Sequence, residues 1–292
     1  MLQQLINVVG PVLACIALGW AWAWTERPFD TRGVAELVTL VGAPCLVFYT
    51  LLNIELDGGL LVHLGLATLV LLVAFSMVSV VVLRLAGLDV RTYVPPLIFP
   101  NIGNIGLPLC LFAFGQQGLA LGVVIFAVMM GFNFTVGIWL YSGSRSPMPL
   151  LKSPLIHAVW IAAVILWQDW HVPVAVMETT RLLGEFTIPV MMLTLGVSLA
   201  RMRVTRLLPA VLLSLLRIAM GVVLGWLVAE LFGLQGTARS VFILQAAMPV
   251  AVFAYLFAVR YQRSPEEMAG LVVVSTVISL ATLPLLLLWL MP

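Results

Sequence analysis

What most limits the folds open to this chain is the stretch from about Tyr93 to Phe114. It is apolar enough to cross a membrane, yet carries PNIGNIGLPL at 100–109 in its middle. Two prolines, two asparagines and two glycines in that space are poor material for a membrane-spanning helix. Lipid offers no partner to the backbone groups such a break releases, so it survives only where protein or a water-lined cavity satisfies them. In transporters, broken helices near the bilayer midplane form the substrate site. Composition decides that lipid is the solvent in question. Of 292 residues, 63% are hydrophobic and 9% charged, against roughly 45–50% and 25% in soluble domains. No stretch is polar enough for a soluble domain, and no basic tail points to nucleic acid.

A hydrocarbon core of about 30 Å needs about 20 apolar residues per crossing. Such runs predict ten spans, at 3–24, 33–52, 59–83, 92–114, 117–141, 154–170, 180–199, 207–231, 238–260 and 266–290. With the N-terminus outside, the inner links and their flanks hold Arg27, Arg32, Arg84, Arg91, Arg145, Lys152, Arg201, Arg203, Arg206, Arg260 and Arg263. The outer links hold Arg181 and Arg239. Eleven against two is a strong positive-inside signal, and a missed or invented span would scramble it. Both termini are therefore expected outside. The first apolar run is read as a span despite the A-x-A look of Ala21-Trp22-Ala23, because no Lys or Arg precedes it and it exceeds the apolar core of a leader. Cys15, Cys45 and Cys110 fall in apolar segments without ligand-like spacing and read as small buried side chains.

The segment 143–153, with Gly143, Ser144, Ser146, Pro147 and Pro149, reads as a linker between halves 1–142 and 154–292. Five spans in each half is an odd number, so the second half enters the membrane from the other side, the inverted-repeat plan of many secondary transporters. Pro44 lies midway in the second span and Pro189 in the seventh; the break of the fourth is answered in the ninth by Gln245 and Pro249. Interrupted spans at corresponding places in two halves point to a transport site.

Within the break, Asn101 and Asn104 stand three residues apart, between Pro100 and Pro108. Their amides both donate and accept, so they suit a polar ligand or the carbonyls freed locally. Opposed half-helices would add free N–H groups and a positive dipole end, suited to an anion. Gly103 and Gly106 fit close helix crossing better than ligand contact. Pro249 frees the carbonyl at Gln245, whose amide either faces the same cavity as Asn104 or satisfies the kink. Asn133 lies mid-span in the fifth helix, as ligand contact or interhelical hydrogen-bonder. Ser275, Ser279 and Thr282 form a small-polar stripe that favours packing on the ninth span. Arg217 is the one basic residue deep in a span. Intramembrane charge marks function by default, although a long arginine also snorkels, so a site-facing and a structural role both stand. There is no HExxH, GxSxG or P-loop, and no carboxylate pair lies mid-membrane. An intramembrane hydrolase or ATP-driven pump has nothing to run on. No metal or cofactor pattern is present, and no acidic residue stands at the break to bind sodium or relay protons.

The stretch PNIGNIGLPLCLFAFGQQGLA at 100–120 resembles the fourth span of the auxin efflux carrier family, whose N-x-G-N-x-G-x-P-L pattern it carries. MPVAVFAYLFAVRYQ at 248–262 is similar to the family's ninth span, and STVISLATLPLLLL at 275–288 to its tenth. The resemblance implies an all-α polytopic membrane protein of the bile acid–sodium symporter type, in the bile/arsenite/riboflavin transporter superfamily. Its ten helices would form two inverted five-helix repeats with broken, crossing helices 4 and 9. Family members move organic anions, auxin in plants and dicarboxylates such as malate and malonate in bacteria. Spans one, two, six and seven would form a scaffold past which the rest moves as an elevator, and homodimers occur. Carried over by motif, Asn101, Asn104, Pro100, Pro108 and Pro249 are the site. The short central link favours a bacterial member, in the inner membrane. The charged residues of the plant proteins' second and third spans have no match: Phe48, Tyr49 and Ser76 occupy those regions. The expectation is a carrier; the alternative is a membrane sensor that binds a small anion and moves nothing.

Overall fold

The computed structural model describes residues 2–25, 27–53, 58–143 and 148–291. They are built from helices: α1 Leu2–Trp24, α2 Thr31–Leu37, α3 Ala43–Asn53, α4 Gly58–Leu85, α5 Val90–Ile98, α6 Leu107–Phe132, α7 Ile138–Ser142, α8 Met148–Leu151, α9 Pro154–Gln168, α10 Val174–Arg201, α11 Leu207–Leu231, α12 Gly236–Ala246, α13 Val252–Tyr261 and α14 Pro265–Leu290. Among the described residues, seven stretches are long and apolar enough to cross a membrane: Gln3–Trp24, Thr31–Asn53, Gly58–Leu85, Ile102–Ser142, Val174–Arg201, Leu207–Leu231 and Pro265–Leu290. The chain is an all-helical, multi-pass membrane protein.

Seven is fewer than the ten spans that hydropathy predicts, and the shortfall has physical causes. The expected sixth span is α9, with only 15 residues. The expected ninth is two short helices, α12 and α13, with the break between them. The expected fourth and fifth run together in Ile102–Ser142, whose 41 residues would reach about 61 Å if straight, twice a hydrocarbon core. They are not straight. Gly115 stands at φ 65° and ψ −157°, a region open essentially to glycine alone. A Cβ built on Gly118 would lie 2.5 Å from the carbonyl oxygen of Cys110, where a straight helix separates the two by about 12 Å. The chain therefore reverses at Gly115 and runs back along itself. Gly115→Ala is expected to cost on the order of 1–3 kcal/mol, read as a lower thermal midpoint in detergent; an unchanged midpoint would argue against a reversal held by this backbone.

The helices sort into two packed groups. In one, α1 lies along α10, and the stretch α2–α3 packs on α9 and α10. In the other, α11 packs on α14, α12 on α6 and α11, α4 on α5 and α6, and α13 on α7 and α14. On the arginine-rich side, the second group is also tied by polar links. Glu267 takes hydrogen bonds from the Tyr93 hydroxyl and from Arg206, and Arg263 donates to the Tyr141 carbonyl at 2.8 Å. Two aspartates start helices on that side: Asp30 accepts from the Arg32 and Gly33 amides and Asp89 from the Thr92 amide, taking up donors that a helix start leaves free. The first group meets the second along a seam formed mainly by α1, α3 and α10 against α6 and the turn Ile102–Gly106.

Candidate functional site

The two broken spans satisfy each other. The Asn101 amide donates to the Pro249 carbonyl at 2.7 Å, and the Ala251 amide donates to the Phe99 carbonyl at 3.4 Å. Together they make an antiparallel bridge between Pro100 and Val250. Backbone groups that a lone broken helix would strand are thus paired inside the protein, since lipid offers them no partner. Two further side chains complete the ninth-span break. The Ser275 hydroxyl accepts the Val250 amide at 3.1 Å, and the Arg217 Nη2 donates to the Ala246 carbonyl at 2.8 Å.

Around this bridge the helices widen. Val38–Gly42, Ile102–Gly106 and Asn133–Gly137 are each one turn of π-helix, a form that recurs at functional sites. Two of the three stand just before a proline, in the pattern G-x-P at 42–44 and 106–108. A proline has no N–H to give and its ring crowds the carbonyl four residues back; widening the preceding turn relieves both. Each π-turn also contributes to cavities at this level. A cavity of about 30 Å³ is lined by Pro100, Asn101, Asn104, Asn133, Met191 and Phe253 among others. It has room for a water or two. A larger one of about 170 Å³ shares Asn104, Met191 and Phe253 with it and is further lined by Thr31, Val38, Thr39, Ser198 and Arg201. A third, of about 470 Å³, is lined by Thr50, Asn53, Gln116, Glu185, Pro189 and Met192 among others.

The two larger cavities lie on the seam between the helix groups, towards opposite ends of it. Thr31 and Asn53 end the same helical stretch, and Arg201 ends α10 whereas Glu185 lies near its middle; each pair is divided between the two cavities. Consecutive residues of α10 part them: Met191 lines the first and Met192 the second.

Of the residues singled out from sequence, Asn101, Asn104 and Asn133 converge. Asn101 and Asn133 are each 4% exposed; Asn104 is half-buried and faces both the small cavity and the 170 Å³ one. The Asn101 Nδ2 has no hydrogen-bond partner among the described residues. Pro100 pairs with Val250 in the bridge, and Pro249 supplies the carbonyl that the Asn101 amide meets. Gly103 faces the Met191 methyl and Gly106 faces the Gln245 amide, in keeping with close packing. Gln245 and Arg217 stand apart from the asparagines. The Gln245 amide is buried between Gly106 and Gly122, and among the described residues neither of its polar atoms has a hydrogen-bond partner; Arg217 lines none of these cavities. Sequence reasoning passed over the π-turn Val38–Gly42, although the G-x-P it shares with the fourth span was there to find. It also read Ser275 as packing, where the hydroxyl holds the break.

The fold and the break define a class: a polytopic helical membrane protein whose interrupted spans meet beside cavities reaching in from two directions. Sequence comparison agrees. A family model described as membrane transport protein matches residues 138–287, about half of the chain, and the protein belongs to that family, the auxin efflux carriers. An uncharacterized transporter of Methanothermobacter thermautotrophicus is 24% identical over 268 residues, covering 88% of each chain. An uncharacterized transporter of Methanocaldococcus jannaschii is 23% identical over 198 residues; the chain spans 63% of that relative's length, and the matched part is 63% of this chain.

Proposed function

We propose that the protein is a secondary carrier of small organic anions, of the malate or malonate kind or an auxin-like carboxylate, working by alternating access. The observation that carries this reading is the pair of cavities at opposite ends of one seam, divided at Met191 and Met192 beside Asn104. A carrier needs one site that faces each side in turn, and a seam between two packed groups is where sliding alternates access. The group of α1, α2–α3, α9 and α10 would be the scaffold, and the group bearing both breaks the moving unit of an elevator. Asn101, Asn104 and Asn133 would recognise a carboxylate through amide N–H groups, assisted by backbone at the paired breaks. On this reading the chain crosses the bilayer ten times, as inverted repeats 1–142 and 154–292 about the linker 143–153, with spans four and nine crossing at the bridge. Both termini lie outside a bacterial inner membrane.

The test is counterflow. Purified protein sealed into vesicles preloaded with unlabelled malonate, malate or indole-3-acetate is expected to accumulate the labelled compound from outside. Stabilisation by one of these acids without counterflow in any gradient would favour the sensor, because a ligand raises the midpoint of the state it binds whether or not it is moved.

A further inference from the structure

We infer that the Arg217 guanidinium is a built-in cation at the ninth-span break, standing where a carrier with broken helices would otherwise bind a coupling cation. The cycle then runs without sodium. The inference rests on the carrier reading above for what the cation does, and on geometry alone for where it is.

Helix α12 ends inside the protein at Ala246. The donors that would continue it are spent or missing: Pro249 has no N–H, and the Val250 amide goes to the Ser275 hydroxyl. A helix end of this kind carries partial negative charge. In transporters with discontinuous helices, such ends and the unwound carbonyls beside them coordinate sodium or a proton. Here the end is occupied by the protein's own charge. Arg217 Nη2 donates to the Ala246 carbonyl at 2.8 Å, and its Cζ sits 4.8 Å from the centre of the Phe75 ring, within cation–π range. Gly221, one turn further along α11, lets the two helices approach: a Cβ there would lie 2.4 Å from the same carbonyl oxygen.

A merely structural cap does not account for the choice of residue. Arg217 is fully buried, and among the described residues no carboxylate pairs with it and its Nε and Nη1 have no hydrogen-bond partner. Only one of its donors caps, a task that glutamine would perform without burying a charge. Burying an unpaired ion is far more costly than burying an amide. What the position uses is therefore the charge. With a fixed cation there, a mobile one would meet like charge, and no described carboxylate pairs with it at the break; Glu185, which lies well inside α10, is paired with Arg181 and lines the 470 Å³ cavity instead.

Arg217→Gln keeps a donor and removes the charge; Arg217→Lys keeps the charge. Wild-type protein in sealed vesicles should show the same malonate counterflow with sodium or choline as the only added cation, and the same thermal midpoint in sodium and choline chloride. Arg217→Gln should lose about tenfold or more of its counterflow in choline, the scale of one charge-assisted hydrogen bond, and regain part of it with millimolar methylguanidinium. Arg217→Lys should retain most of it. Sodium dependence of the wild-type flux, a midpoint several degrees higher in sodium, or full activity of Arg217→Gln in choline would each overturn the assignment. The wild-type arms decide even where both variants fail to fold. Should neither malonate nor the other carboxylates move while the midpoint is indifferent to sodium, the carrier reading falls and the cation assignment does not.

Discussion

Asn104→Ala is expected to reduce carboxylate counterflow by about 10- to 100-fold while leaving the amount of membrane-inserted protein and its thermal midpoint close to wild type. The magnitude is that of a hydrogen bond to a charged group, roughly 1.5–3 kcal/mol, converted at about 1.4 kcal/mol per tenfold. The separation of effects follows from position. Asn104 is half-buried and lines two cavities, so truncation enlarges space that is already there. The backbone of the break is held by the bridge at Asn101 and Pro249, which does not involve the Asn104 side chain. Asn104→Asp, nearly the same shape, should be at least as inactive, because a carboxylate there repels an anionic cargo. Flux at the wild-type rate in both variants would remove Asn104 from the site. Loss of flux in step with loss of folded protein would make it a structural residue instead.

Gly221→Val is expected to be strongly destabilising. The obstacle to a Cβ at Gly221 is backbone: the Ala246 carbonyl oxygen at 2.4 Å and the Ala247 Cα at 2.8 Å. A flexible side chain swings aside, but here helix α11 or the end of α12 must move. Overpacking of this kind costs about 1–3 kcal/mol for the first added methylene groups, sometimes more, so a fall of at least several degrees in thermal midpoint is expected, with Gly221→Ala intermediate. The shift also carries the Arg217 guanidinium away from the carbonyl it holds. If Gly221→Val keeps the wild-type midpoint, the close approach of α11 to the break is wrong.

Several of these features were legible before any fold was known. The motif at 100–109 announced a break, and Pro249 its counterpart, because proline and glycine act on the backbone locally whatever surrounds them. The asparagines were legible as a candidate site for the same reason: polar amides in a run destined for lipid must find protein or water. Other features needed the packed helices. Nothing in the order of residues places Asn133, on the far side of the reversal at Gly115, in one cavity with Asn101. Gln245 was legible as polar and near a proline, but its direction was not. A π-turn adds a residue and rotates everything after it by about 100° relative to a regular helix, so facing inferred from a constant helical period fails beyond each such turn.

By itself, then, the sequence determined that this chain is solvated by lipid, which runs are helical and where those helices must fail. Hydrophobicity, charge scarcity and the missing N–H of proline act through each residue and its near neighbours. Only the tertiary structure decided which groups meet the backbone that those failures release. The carbonyl of Pro249 meets the amide of Asn101, the carbonyl of Ala246 meets Arg217, and the amide of Val250 meets Ser275. Each of these bonds joins residues at least 25 positions apart. Inside a membrane every freed backbone group must find a partner, but which partner depends on how the helices pack.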